Sequence, residues 1–566
     1  MRKLISIYLF SLLALSLFLV SESFANPVTS TRYISIIGCY VFIIFSYILN
    51  EKNQAWSISV SEILVMGFLL SAILYNAYLR SLSFEWILSS TSLLLFYMLV
   101  RRIRLDQQLI FVGIVILGII QAAYGIAQYL NWTNNDINSF RINGSFDNPT
   151  GFAVSLVVVF PFALYLFFEK KTIVRLLGAL SVGFILVSVI LSGSRAGIVG
   201  LVVILLIWLF YVLNIQFSKK LKVVVSSIII IALIFGLYFV KKDSADGRLL
   251  IWQCSTQMIV DKPLFGHGVG SFEREYMLYQ ADYFKIHPYS RYAMLAGIVK
   301  HPFNEFLLLL VELGLTGGLL MGLCIYCLIR EYKRNKSIEK FYALLCVIGV
   351  AVFGCFSYFL CYPFIRIVAL FSIAVIMKHE QDVLVVPQQI SMFIKPPLTF
   401  ACIILLTVTI KMFKNEYRWN IIAQQSLAGE TKKVMPEYAQ LYKTMNKNGL
   451  FLYNYGAELN YIGEWRESTK LLKECADFYN DIDLQLLLAD NYTHLKQYHK
   501  AEKCLLLAHK MIPNRFTPLY RLAILYKKEG KLYEASRIAN IILKKPVKVV
   551  SIDVLTIKKE MKDLLN

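Results

Sequence analysis

Long apolar blocks alternate with short polar connections over the first 413 residues of the chain. A helix needs about 20 mostly apolar residues to cross the hydrocarbon core of a bilayer. The pattern therefore predicts an all-α, polytopic bundle of about 12–13 transmembrane helices. The twelfth block is short enough to form one span with the eleventh. For the first block, a cleaved signal peptide is the alternative to a retained span. The blocks lie at 4–20, 33–50, 59–78, 83–100, 108–130, 151–168, 175–193, 196–214, 223–240, 304–328, 341–361, 364–377 and 397–413.

The Lys and Arg residues of the connections set the predicted orientation, because cytoplasmic loops are enriched in them. With the N-terminus inside, nineteen of these residues lie in cytoplasmic connections and five in short connections on the opposite side. This bias predicts a large outward loop at about 241–303 and an outward C-terminal region. The five on the opposite side are Arg32, Arg80, Arg141, Arg195 and Arg366.

The composition excludes a soluble enzyme, since 57% of the residues are apolar, 17% are charged and the mean hydropathy is +0.58. A net charge of +21 follows in part from the cytoplasmic connections and needs no nucleic-acid partner. The sequence shows no zinc-type Cys/His cluster and no Gly-rich phosphate loop. We therefore expect neither a metal ion nor a cofactor.

From about residue 415 the charge rises and the apolar blocks end, which divides the chain into a membrane domain at 1–414 and an outward helical domain at 415–566. The second part aligns on itself with a period near 34. This period and its small residues resemble tetratricopeptide repeats, which stack as an α-solenoid. Such a surface either binds a peptide or protein partner, or only stabilises the outer face. The corresponding positions are Gly456, Ala489 and Ala523, then Trp465, Tyr498 and Tyr533, then Ser468, Ala501 and Ala535.

Two arginines are the principal candidates for binding an anion. Arg195 stands in a very short connection between two spans, and Arg248 lies near the start of the large loop. Charged groups at the edge of apolar blocks are costly and are often functional, and a guanidinium binds phosphate oxygens through a two-pronged fork. The alternative is that these side chains only extend to lipid head groups.

Polar residues at the mouth of the tenth predicted span are candidates for proton transfer. His301, Asn304 and Glu305 occur there, and an imidazole or a carboxylate could accept a proton from an incoming hydroxyl. The alternative is that they only meet head groups and water.

Two further loops offer candidate contacts for a substrate. Gly266 and Gly268 of the large loop permit tight turns and close approach of a ligand. Arg141 and Asn148 lie in an earlier outward loop and are expected to join the same site.

Together these stretches resemble the O-antigen ligase and polymerase superfamily of bacterial envelope glycosyltransferases. The similar elements cover about 140–320: Ser-Gly-Ser-Arg at 192–195, Gly247-Arg248 with Trp252, Pro-x-x-Gly-x-Gly at 263–268, and Asn304 followed by Gly314 and Gly317. The resemblance implies a glycosyltransferase-C-like membrane bundle in the bacterial inner membrane, with a periplasmic C-terminal domain.

The resemblance also implies a chemistry, in which arginines hold the pyrophosphate of an undecaprenyl-linked glycan and a loop histidine activates the acceptor. Transfer would invert the anomeric centre without a metal. The arginine role carries over to Arg195 and Arg248. Ligases usually have His directly before the Asn, where this chain has Phe303, so the base is His301, or Glu305, or positioning alone suffices.

Several functions stay open at this point. The acceptor is lipid A core, a protein hydroxyl or, in a polymerase, a growing chain of repeat units. Membrane lipids surround the bundle, and the repeat tail favours a protein partner or acceptor. From other classes, a transporter of lipid-linked glycans and a non-catalytic assembly scaffold are the rivals.

Overall fold

The computed structural model describes residues 2–19, 27–49, 56–79, 83–133, 140–213, 218–386 and 388–565. Each predicted apolar block overlaps a helix in the described residues, although the block at 341–361 extends beyond its helix. Apart from one small sheet the described chain is helical, which confirms the all-α expectation. Arg80, one of the five counted outward charges, is outside them. The helices of this region are α1 Arg2–Phe18, α2 Pro27–Leu49, α3 Val60–Tyr78, α4 Phe84–Arg102, α5 Gln107–Tyr129, α6 Pro149–Phe167, α7 Thr172–Leu191, α8 Arg195–Val212, α9 Lys219–Val240, α12 Glu305–Arg334, α13 Ile338–Gly354, α14 Pro363–Met377 and α15 Gln388–Gln425.

Ten helices in the described part of the chain are long and apolar enough to cross a membrane, fewer than the twelve to thirteen expected. The difference lies in α1, α13 and α14, which have 17, 17 and 15 residues. At about 1.5 Å per residue such helices fall short of the roughly 30 Å of a hydrocarbon core. The eleventh and twelfth blocks are separate helices, because the chain leaves the helix at 355–362.

Helix α6 is the centre of the bundle. Its side chains from Gly151 to Leu164 are almost all buried, and it packs against α5, α7, α8, α13 and α14. A helix that is apolar on every side can be stable only when neighbours or lipid surround it. Asn148 caps its first turn by accepting bonds from the backbone N–H groups of Thr150 and Gly151 at 2.9 Å.

The end of the bundle opposite the large loop is closed by ion pairs and a small sheet. Arg101 donates to Glu62 at 3.1 Å and to Asp382 at 2.8 Å, and the side chains of Arg101 and Glu62 are almost fully buried. Glu380 accepts a bond from the Ser61 hydroxyl at 2.6 Å. Two antiparallel strands, β1 Trp56–Ser59 and β2 Asp382–Val386, pair there with Ser57 opposite Val385.

The large loop begins with two helices, α10 Lys242–Asp261 and α11 Ser271–Ile286. From 287 to 304 the chain forms turns and extended segments before α12 begins. This irregular segment leads directly to the candidate residues His301 and Asn304. We call the end of the bundle from which it emerges the loop end.

The C-terminal part consists of short helices that pack in consecutive pairs. Helix α15 leads through an irregular turn at Ser426–Glu430 into this region. A Cβ atom added at Gly456 would lie 2.6 Å from Leu472 Cδ2, so a larger residue there would require the Leu472 side chain to move. The helices are α16 Thr431–Met445, α17 Gly449–Tyr461, α18 Trp465–Ala476, α19 Ile482–His494, α20 Tyr498–Met511, α21 Thr517–Lys528, α22 Leu532–Lys544 and α23 Ile552–Leu565.

The loop helices and the C-terminal helices share one apolar core. Phe272 and Tyr276 of α11 belong to the same buried cluster as Ala508 and Met511 of α20. The membrane helices form a separate cluster. The large loop is therefore packed against the tail as well as tethered to the membrane helices.

Candidate functional site

An aromatic side chain between α13 and α14 is the centre of the candidate site. The Tyr358 ring stacks on the His301 ring with centroids 4.7 Å apart, and the Phe303 ring meets it edge-on at 5.4 Å. The segment of His301 to Phe303 thus packs against the connection 355–362. This contact places the loop residues beside the ends of α13 and α14.

Phe303 adopts a strained backbone conformation to reach this position. Its φ is +53°, a region that costs a non-glycine residue of order 1 kcal/mol or more. The ring lies beneath the guanidinium of Arg248, whose Cζ is 5.1 Å from the ring centroid. A cation above an aromatic face gains about 0.5–2 kcal/mol, which offsets part of the strain.

Arg248 is held on its other side by the Phe356 carbonyl oxygen, to which Nη1 donates at 2.8 Å. Burial and then the positive charge of Arg195 lower the pKa of Arg248 to about 10. Because this value is still about three units above neutral pH, the side chain remains protonated under physiological conditions.

Arg195, the first residue of α8, donates to Ser244, which lies one helical turn before Arg248 on α10, so the two positive charges lie near one another. Its guanidinium donates to the carbonyl oxygens of Leu237 and Lys241 at 3.4 and 3.3 Å and to Ser244 Oγ at 3.0 Å. All of these acceptors are neutral. Within the described ranges, neither Arg195 nor Arg248 forms an ion pair with a carboxylate, so two like charges approach one another without a counterion from this part of the chain.

His301 is neutral at physiological pH. Burial and the positive charges of Arg32 and Lys300 lower its pKa to about 4. Its Nε2 lies 3.5 Å from Cys361 Sγ, and burial raises the pKa of the Cys361 thiol to about 11. The pair is therefore a neutral imidazole beside a protonated thiol.

Asn304 and Glu305 stand at the start of α12, Asn304 as the N-cap and Glu305 as the first helical residue. The Asn304 side chain caps the helix by accepting from the N–H groups of Phe306 and Leu307 at 3.0 Å. Glu305 is 7% exposed, and one of its oxygens accepts from the Leu360 N–H at 2.8 Å. The other oxygen, Oε2, has no hydrogen-bond partner among the described residues, which leaves it available as a proton acceptor.

Asn148 contacts the aromatic side chains of this cluster. Besides capping α6, its Nδ2 donates to the hydroxyls of Tyr358 and Tyr362 at 3.1 and 2.7 Å. The Tyr362 hydroxyl in turn donates to Asp147 at 2.8 Å. Arg141 instead donates to the Tyr129 carbonyl oxygen at 3.2–3.3 Å and stacks on the Tyr129 ring, so these contacts place it at the end of α5.

Gly266 and Gly268 are used for backbone packing. Both have positive φ, +69° and +91°, and a Cβ at Gly266 would lie 2.4 Å from the Glu312 carbonyl carbon. The loop forms backbone bonds with an interrupted turn of α12 at Gly314, including Gly268 N to Glu312 O at 2.9 Å. Their role as substrate contacts stays a prediction, since this packing already accounts for both glycines.

Several residues of the cluster were not singled out by the sequence analysis. Tyr358, Tyr362 and Asp147 carry no motif of their own and are recognisable only from their contacts. Arg366 was counted for topology alone, although a charge within an apolar block was a usable signal. It donates to Ser89 Oγ at 3.0 Å, and its Nε is buried without a partner in the described structure.

The described residues hold no group of three or more His, Cys, Asp or Glu side chains that could bind a metal ion. The arrangement at the loop end is instead a pair of guanidinium groups, a neutral imidazole and a carboxylate with one free oxygen. Fold and site together define a multi-pass membrane protein with a cationic site at one end of its helical bundle.

Comparison with known proteins supports the O-antigen ligase resemblance. Residues 180–322 match the family model described as O-antigen ligase. A "Putative polysaccharide ligase" of Rickettsia typhi is 30% identical over 129 residues, which are 21% of this chain and 29% of that protein. A protein of the same description from Rickettsia conorii is 29% identical over 129 residues, or 21% of this chain and 28% of its own length. The similarity thus spans less than a third of either relative.

Proposed function

We propose that the protein is an envelope glycosyltransferase that moves a glycan from an undecaprenyl-pyrophosphate carrier to an acceptor hydroxyl at the periplasmic face of the inner membrane. The observation that carries the proposal is the approach of Arg195 and Arg248 with only neutral acceptors around them. Like charges near one another raise the free energy of the empty site. A diphosphate would remove that cost and satisfy the unused N–H donors of both forks.

The reaction requires little besides charge stabilisation. The acceptor oxygen forms a bond to the anomeric carbon as the bond from that carbon to the diphosphate oxygen breaks, which inverts the centre. The electron pair leaves with the carrier diphosphate, where Arg195 and Arg248 stabilise the developing charge. The acceptor proton passes to a base, and no metal or nucleotide takes part.

Two groups of the cluster are suited to take the proton. His301 is neutral and can accept it, although a pKa of about 4 makes it a weak base. Glu305 offers Oε2, which lacks a partner in the described structure. Under this scheme Asn148, Asn304 and the loop glycines shape the site.

The orientation that we propose for the bundle in the membrane follows from the excess of Lys and Arg in the connections counted as cytoplasmic. The cluster and the large loop share the loop end, whereas Arg101 and Arg102, counted as cytoplasmic, lie at the opposite end. We place the loop end in the periplasm on that basis. Cysteine labelling from outside intact spheroplasts at positions 195 and 248 tests this placement, and labelling only after permeabilisation would contradict it.

For the C-terminal region we propose a tetratricopeptide-like solenoid. The helices α17, α19 and α21 begin at 449, 482 and 517, and their partners α18, α20 and α22 at 465, 498 and 532. This recurrence agrees with the period near 34 in the sequence. A surface of that kind suits a protein acceptor or partner.

The acceptor is lipid A core or a protein hydroxyl, and repeat-unit polymerisation is the alternative. Mass spectrometry of envelope glycans from a deletion strain separates these outcomes. A ligase to lipid A is indicated by loss of all long-chain lipopolysaccharide, a protein ligase by loss of glycoproteins, and a polymerase by loss of chain length alone.

Purified protein with a synthetic undecaprenyl-pyrophosphate glycan and an acceptor tests the chemistry directly. We expect transfer in the presence of EDTA and its loss in the Arg195→Ala, Arg248→Ala double variant. Full function of the double variant in cells would favour a non-catalytic scaffold. Movement of the lipid across a bilayer without transfer would favour a transporter.

A further inference from the structure

The irregular segment before α12 depends on the C-terminal tail for its hydrogen bonds. Residues 293–297 form no helix or strand, so their carbonyl groups need partners elsewhere. Asn514, in the turn between α20 and α21, donates from Nδ2 to the carbonyl oxygens of Ala293 at 3.1 Å, Met294 at 3.3 Å and Ala296 at 2.8 Å. One tail side chain thus holds three carbonyl groups within four residues of this backbone.

A buried amide on the loop side completes the contact. Gln280 of α11 is fully buried, and its Nε2 donates to the Gly297 carbonyl at 3.2 Å and to the Met511 carbonyl at the end of α20 at 2.6 Å. Its Oε1 accepts from the Tyr276 hydroxyl at 2.9 Å. Gln280 therefore joins the loop helix, the irregular segment and the tail in one network with every group satisfied.

The segment held in this way leads straight into the candidate site. Gly297 is four residues before His301 and six before Phe303. Lys300, between them, lies 5.7 Å from the ring centroid of Tyr479 in the tail. The strained φ of Phe303 requires that the surrounding chain be fixed, because a strained conformation persists only when its neighbours determine it.

We propose that the C-terminal tail is a positioning element of the site, acting through Asn514 and Gln280 on the segment that carries His301 and Phe303. This inference rests on the proposed function for its kinetic consequence, but not for its structural one. It gives the tail a role within the chain itself. It also means that the turn between α20 and α21 is occupied, so that a partner of the tail binds elsewhere on its surface.

The test compares Asn514→Ala and Asn514→Asp with wild type in the full-length protein. The aspartate has the same size as asparagine but cannot donate to carbonyl oxygens, so it removes the bonds with little change of shape. Asn540→Ala is the matched control, because Asn540 is exposed in the tail and bonds only within its own helix.

Hydrogen-exchange mass spectrometry in nanodiscs gives a readout that needs no substrate. We expect at least about 10-fold faster exchange across 290–303 in both Asn514 variants, which corresponds to about 1.4 kcal/mol of lost local stability. In both Asn514 variants the exchange rate in α17–α19 should match wild type. In the Asn540→Ala control the exchange rate across 290–303 should match wild type. Unchanged exchange at 290–303, or faster exchange throughout the tail, would overturn the inference.

Glycan transfer gives the second readout. Arg195 and Arg248 lie on α8 and α10, outside the segment, and the bond of Arg248 to the Phe356 carbonyl oxygen does not involve it. We therefore expect kcat to fall roughly 10-fold, as for misplaced reacting groups, and the KM for the lipid-linked donor to rise by a smaller factor through the weakened contact of Phe303 with Arg248. A raised donor KM with unchanged kcat would contradict positioning of His301 and Phe303. If wild type transfers no glycan, the proposed function fails while the exchange result still decides the contact between tail and loop.

Discussion

Replacement of Arg248 by alanine is the most direct test of the cationic site. The guanidinium donates a hydrogen bond from Nη1 to the Phe356 carbonyl oxygen and lies over the Phe303 ring. These two contacts fix its position before any substrate binds. With a pKa of about 10, only about one molecule in a thousand lacks the charge at pH 7. Removing one fixed donor to a developing charge costs on the order of 10²–10³ in rate.

We expect Arg248→Ala to reduce transfer at least as much as His301→Ala. General-base help is worth roughly 10²–10⁴ when the base has a pKa near the working pH. His301 has a pKa of about 4 and faces the Cys361 thiol, which places its contribution at the low end of that range. Phe303 also stands where the resemblance to O-antigen ligases implies a histidine.

The assay is the initial rate of transfer from a defined undecaprenyl-pyrophosphate glycan, with the amount of folded protein measured by size-exclusion chromatography. Arg248→Lys keeps the charge but loses the fork, so its rate should lie between wild type and Arg248→Ala. Arg175→Ala is the control, because Arg175 is exposed at the other end of α7. An inactive His301→Ala protein beside an active Arg248→Ala protein would refute the reasoning.

Three further predictions concern pH, a glycine and a helix cap. If His301 is the base, kcat should be constant from pH 8 down to about 5 and fall only towards pH 4, because its lowered pKa keeps the imidazole unprotonated above that value. A fall of kcat with a midpoint near pH 6.5 would contradict this. Gly266→Ala should lower the melting temperature and the folded yield, because its φ is +69° and a Cβ would strike the Glu312 backbone. Gly247 has open space around it, so Gly247→Ala should have the melting temperature and folded yield of wild type. Asn148→Ser should keep the cap of α6 and change the free energy of unfolding by less than about 1 kcal/mol. It should nevertheless reduce transfer, because serine cannot donate to both Tyr358 and Tyr362. Equal transfer rates would place Asn148 outside the working site.

The bundle itself could be predicted from the sequence because lipid imposes a simple rule. Every apolar block has to form a helix to satisfy its backbone groups in hydrocarbon, so block boundaries and helix boundaries agree to within a few residues for most of the membrane domain. The number of spans differed, because ten described helices are long and apolar enough against the twelve to thirteen expected. Helices α13 and α14 are short, and local composition does not reveal that neighbours bury them.

Part of the candidate site could be proposed from the sequence for a similar reason. Charges such as Arg195 are costly at an apolar boundary, so their presence in the sequence is itself a signal. Arg141 was assigned to the same site from its place in an outward loop, yet its contacts place it at Tyr129. Tyr358 gave no signal, because a tyrosine near an interface is common and only its stacking on His301 distinguishes it.

By itself, the sequence determined the helical membrane architecture and the helical period of the tail, and it marked Arg195 and Arg248 as candidates, because each of these signals depends on the solvent around a local segment. The tertiary structure alone decided that Asn148 meets Tyr358 and Tyr362, that Gly266 packs against Glu312, and that Asn514 holds the segment before His301. These contacts join residues up to 221 positions apart. Such contacts form only where helix packing brings distant backbones within hydrogen-bond distance, and no local pattern encodes that distance.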